Sequence, residues 1–215
     1  MKWGFIIKPA TVVESSHPDN TTTAELPNPD LVNVCQVETP TNVTGNIDQQ
    51  FNKFFQSLKS FVTIWGFDVK SFGHHISSLR KHLRHITSIT PTLPSKEYPA
   101  KISFARNSLQ LMVNALDIRQ HYNVFHNPHD DLLYRVVELR LKLLTFHNTN
   151  GEPRQHLNSH NMYDIFKLWH SLSFWKTIFK QLPNVPIDTR VIFDSQVRRA
   201  KKTITYLISS APQSH

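Results

Sequence analysis

Glycine is scarce in this chain, at five of 215 residues, and cysteine occurs once. Tight turns, phosphate loops and sheet-rich folds all lean on glycine. The scarcity argues against Rossmann and P-loop domains, and no GxGxxG, Walker or GxSxG motif is present. With Cys35 alone, no intrachain disulfide and no thiolate zinc cage can form, which fits a reducing compartment. Cys35 has no histidine beside it, so it is not nominated as a nucleophile. Long apolar runs are also missing. The opening Trp3–Ile7 stretch is cut by Lys8, too short for a bilayer span or a secretory signal. The expectation is an intracellular protein of cytoplasm or nucleus, without a membrane span.

Acidic residues are few, 16 against 24 Lys and Arg, and they are unevenly spread. Met1–Asp48 holds two Lys against six acids, a net of −4; from Gln49 onward 22 cations face 10 acids, a net of +12. A basic body of this kind attracts nucleic acid, anionic membranes or acidic proteins. Residues 1–46 read as a flexible polar, acidic arm: five prolines and many Thr and Asn surround two short β-prone runs, Trp3–Ile7 and Leu31–Val37. Asn20 and Asn42 head N-glycosylation sequons, which matter only on a secretory route.

Residues 47–215 read as a basic helical-bundle domain, an all-α fold of five to six amphipathic helices. The first starts at an Asn46 or Asp48 cap and carries Phe51, Phe54, Phe55, Leu58, Val62 and Trp65, with Gly66 ending or kinking it. The second, after Gly73, turns Ile76, Leu79, Leu83 and Ile86 inward and is closed by Pro91 and Pro94. The third, from about Pro99 to His121, buries Ala105, Leu109, Met112, Val113 and Leu116. The fourth, Asp130 to His147, is the most apolar and hence central, and Asp130 and Asp131 suit its positive N-terminal end. The fifth, Asn161 to Leu182, is expected to bury Met162, Ile165, Phe166, Trp169, Leu172, Ile178 and Phe179. The sixth spans Ile187–Ser209, with Phe193, Val197, Ala200, Ile204 and Leu207 in one stripe.

Thirteen histidines invite a search for metal ligands. His75, His82 and His85 share one helix, but Arg and Lys between them oppose a cation. His156 and His160 have the outer spacing of a zinc-protease motif, with Leu157 in place of the general-base Glu. His129-Asp130 resembles the His-Asp pair of the all-helical HD-type metal phosphohydrolases. That resemblance implies metal ligation by the pair together with a further His and Asp, for which His85 and Asp164 are the candidates. Here Asn127 and Pro128 precede the pair in a link, where that family has an apolar helix, so the resemblance covers two residues. The last helix looks somewhat like the end of a homeodomain, but Ile192 stands at its Trp position and Ser195 at its adenine-reading Asn. Neither family is assigned, and no catalytic residue, metal or cofactor is nominated.

The remaining candidates are two basic clusters, Arg80, Lys81 and Arg84 on the second helix and Arg198, Arg199, Lys201 and Lys202 on the sixth. Brought to one side, they make a patch of seven cations. Aromatic residues are sparse within them, which favours contact with phosphates over base stacking. The leading expectation is a non-enzymatic, regulatory binding protein that contacts nucleic acid or an acidic protein surface. The alternatives are a protein–protein ligand or adaptor of helical-cytokine type and, remotely, a metal-dependent phosphohydrolase.

Overall fold

The computed structural model describes residues 40–63, 66–90, 97–122, 124–155 and 157–211, with side chains from residue 46 onward except that of residue 63. All of these belong to one compact unit, Glu38–His215. The β-prone runs of the arm, Cys35, Asn20, the Asn42 side chain and His156 lie outside the described residues. The described residues form an all-α bundle of six helices: α1 (Pro40–Ser60), α2 (Val69–Ile89), α3 (Tyr98–His121), α4 (Pro128–Leu144), α5 (Ser159–Gln181) and α6 (Ile187–Ser209). A hairpin of two short antiparallel strands, β1 (Val62–Thr63) and β2 (Gly66–Phe67), joins α1 to α2. No described helix is long and apolar enough to cross a membrane.

The boundaries differ most from expectation at three places, each for a local reason, and α4 also stops three residues short of His147. Helix α1 begins at Pro40, upstream of the expected caps. Proline is tolerated at a helix start because its missing N–H is an orphan there. Asp48 is not a cap: it sits within α1 and accepts from Lys101 Nζ of α3 at 2.7 Å. The first helix ends at Ser60 rather than near Trp65, because Gly66 adopts φ +132° and turns the chain into the hairpin. A Cβ on Gly66 would also run into the Glu138 carboxylate, which accepts from Phe67 N at 3.0 Å. Helix α2 starts at Val69, four residues before Gly73, because the Asp68 side chain caps it by accepting from Ser71 N at 3.1 Å. Gly73 then lies inside the helix with open space where a Cβ would be.

Helix α4 is the centre. Nine of its 17 residues are buried, spread almost all round its axis, as a helix with neighbours on every side requires. It packs on α3, α5, α6 and the hairpin, while α2 packs on α1 and α3, and α6 on α4 and α5. Helices α3 and α4 therefore stand between α2 and α6. Phe51, Phe54, Phe72, Leu133, Ile165, Phe193 and Leu207 are among the side chains that fill the interior. The stripe expected on α6 is buried as expected, Phe193, Val197, Ala200, Ile204 and Leu207 all lying in the core. Helix α5 departs from expectation. It buries only Ile165, Leu172 and Phe179, and Phe166, expected inside, is 46% exposed.

Candidate nucleic-acid interface

At 100° per residue, Arg80 and Arg84 lie on one flank of α2, one turn apart, while Lys81 lies on its outward side. That flank faces α3. Ser77, Arg80, Arg84, Thr87 and Ser88 of α2 and Arg106 of α3 surround an open groove of about 710 Å³ whose apolar floor is Leu83 and Leu109. From Ser77 to Ser88 the α2 wall takes in 12 residues, roughly 16 Å of helix from first to last. Three guanidinium groups line it, and no ion pair engages any of them among the described residues. The hydroxyls contribute less as donors. Thr87 Oγ1 donates to Leu83 O and Ser88 Oγ to His85 O, both at 2.8 Å, so their protons are already placed. An anion in the groove would meet chiefly arginine.

The opposite flank of α2 is not part of a basic face. His82 turns toward α1, where its Nε2 lies 3.1 Å from Gln50 Oε1 and its ring meets Phe54 edge-on at 5.7 Å. Desolvation, then the charges of His85 and Lys53, hold its pKa below the usual histidine value. His75 donates from Nδ1 to Ser71 O at 2.8 Å and lies 5.6 Å from the Phe61 ring.

The second cluster is elsewhere. On α6, Arg198, Arg199 and Lys202 are exposed and lie within about 100° of one another round the helix. Lys201 folds toward α5, with Nζ 5.8 Å from the centre of the Trp169 ring. Arg199 points the other way, toward Arg140 of α4. Burial, then the positive charge of Arg199, pushes the Arg140 guanidinium down to about 10, and it is held by a hydrogen bond to Gln196 of α6. The seven cations singled out from sequence therefore do not form one patch. Two of them join Arg106 in a groove, Lys81 stands beside it, and the α6 four lie across α3 and α4 from it.

The four residues of the His-Asp resemblance lie on three helices. His129 Nε2 lies 3.6 Å from Asp130 Oδ1, and Asn127 Nδ2 donates to Asp130 at 3.2 Å at the start of α4. His85 is on α2, and Asp164, on α5, faces His160 at 3.5 Å. Among the described residues, no three His, Cys, Asp or Glu stand close enough together to hold a metal ion.

Sequence reasoning passed over Arg106, Arg140 and the outer face of α5. Arg106 became legible only once α2 and α3 were paired. The α5 face had a visible signal: Tyr163, Phe166, His170 and Phe174 recur at spacings of 3, 4 and 4, opposite the stripe of Ile165, Leu172 and Phe179. No protein-family model, curated protein or solved structure matches this chain.

Proposed function

We propose that this protein is a non-enzymatic helical binding protein that grips the phosphate backbone of nucleic acid in the α2–α3 groove. The observation that carries the reading is the convergence of Arg80, Arg84 and Arg106 on an open trough with no acid facing them among the described residues. Arginine suits phosphate because its planar fork offers paired donors and stays charged. The trough's length and openness suit an extended polyanion better than a single small anion. Contacts of this sort supply affinity and position and little sequence preference.

The test is fluorescence anisotropy of a labelled random duplex titrated with protein at several salt concentrations. Three neutralised phosphates predict a slope of log affinity on log salt of about −2.7. Charge reversal by R80E/R84E/R106E should remove the binding while leaving the helical circular-dichroism signal intact. Full affinity in that triple variant rules the groove out. Binding to polyglutamate with none to the duplex replaces nucleic acid by an acidic protein surface as the partner.

A further inference from the structure

We infer that the outer face of the α5–α6 pair is a second binding surface, one that takes single-stranded nucleic acid by base stacking. This goes beyond the groove, shares no residue with it, and stands or falls separately.

Helix α5 is apolar on two sides. Its inner stripe is Ile165, Leu172 and Phe179; its outer stripe exposes Tyr163 by 65%, Phe166 by 46% and Phe174 by 63%, with exposed His170 between them. Nothing among the described residues covers these rings. Isolated exposed apolar residues are ordinary, but three aromatic rings in one helical row are a surface feature that marks binding. Two contacts set the α5–α6 register. Phe179 stacks on Phe193 at 3.6 Å, and Lys201 lies over Trp169 at 5.8 Å. The helices are therefore antiparallel, with Phe174 level with Arg198 and His170 level with Lys201 and Lys202. Two of these cations, Arg198 and Lys202, fall on the exposed side of α6, and no ion pair engages either among the described residues. Lys167, also exposed, adds a cation within the aromatic row itself. The acids on this side are Asp194 of α6 and Asp164, which faces His160.

Rings beside unpaired cations are what an unpaired strand needs: a π-face for each base and a positive charge for each phosphate. Phe166, His170 and Phe174 recur every four residues, about 6 Å along the axis. That is close to twice the roughly 3.4 Å rise per base of a stacked strand, leaving room for one base between successive rings. A paired duplex hides its base faces and gains nothing from the rings. A protein partner fits less well, because the buried centres of protein interfaces are depleted in lysine, and lysines run through and alongside this row.

The test uses the whole chain and a short labelled oligothymidylate, with a random duplex in parallel. The F166A/F174A variant should weaken single-strand binding about tenfold or more and leave duplex binding unchanged. Phe174→Trp should retain the affinity and add tryptophan fluorescence that the oligonucleotide quenches. R198E/K202E should weaken single-strand binding and flatten its salt dependence. The groove variant R80E/R84E/R106E should leave the quenching in place, so failure of the groove and failure of this face are told apart. Three results overturn the inference: unchanged single-strand affinity in F166A/F174A; a loss of self-association in that variant with affinity retained, which makes the face a dimer contact; or binding to anionic phospholipid vesicles with no quenching by oligonucleotide.

Discussion

The α2–α3 groove and the α5–α6 face carry similar numbers of cations and are opposite in build. The groove is concave; its three arginines converge over an apolar floor, and no aromatic residue lines it. The face forms no such trough: Arg198 and Lys202 lie on the exposed side of α6, and Lys167 and the aromatic rings stand on the neighbouring α5. Counting charges along the chain ranks the α6 cluster first. Packing reverses that order: Arg198 and Lys202 share one side of α6 just as Arg80 and Arg84 share one flank of α2, but the α2 pair lines a groove together with Arg106 of the neighbouring helix. Density along one helix does not show which cation a neighbouring helix adds.

The largest effect that separates surface from core lies on α6 itself. Val197→Asp puts a carboxylate where 3% of the side chain is exposed, at a cost of several kcal/mol, comparable to the whole stability of a domain. It should abolish the cooperative thermal transition. Val191→Asp, at a position 64% exposed on the same helix, should move the melting temperature by little. A well-folded V197D would mean that α6 is rotated from the orientation described here.

A finer contrast lies on α2 and across the groove. Arg106→Ala should weaken duplex binding several-fold and reduce the magnitude of the salt slope by about one. Lys81→Ala, on the outward side of α2, should leave the slope unchanged. Equal effects from the two would dissolve the groove into a diffuse basic surface.

The smallest effect is a pH dependence. His82 and buried His147 both have pKa values held below the ordinary 6.5, chiefly by desolvation. Each takes up its proton more readily in the unfolded chain, so stability is lost as pH falls below about 6.5, until the lowered folded values are reached. Melting temperatures measured from pH 7 to pH 5 should decline, and His82→Gln should make the decline shallower. A melting temperature that rises on acidification would contradict the burial of these rings.

Much of the fold was legible because its helices obey strong periodicity. The dense apolar run from Leu132 to Leu144 announced a central helix, and the α6 stripe faced the core as read. One boundary failed where a glycine was taken to precede a helix: α2 was expected after Gly73 and starts at Val69. Gly73 lies inside that helix with open space where a Cβ would be, while Gly66 does end a run, as expected, through its positive φ and the Glu138 carboxylate beside it. The α5 face was misread because a helix with two apolar stripes does not reveal which one is inward; Phe166 belongs to the outer one. Of the candidate site, Arg80 and Arg84 were visible as a pair. Arg106 was not, because its partnership arises from α2–α3 packing and from nothing local to FARNSLQ.

The most direct test of the central claim sets two charge-reversed proteins side by side on one duplex, R80E/R84E/R106E and R198E/R199E/K201E/K202E, across a salt series. If the groove is the phosphate-binding site, the first loses binding and salt dependence together, and the second keeps a slope near −2.7. Loss of binding in the second with retention in the first would place the site on α6 and contradict this account.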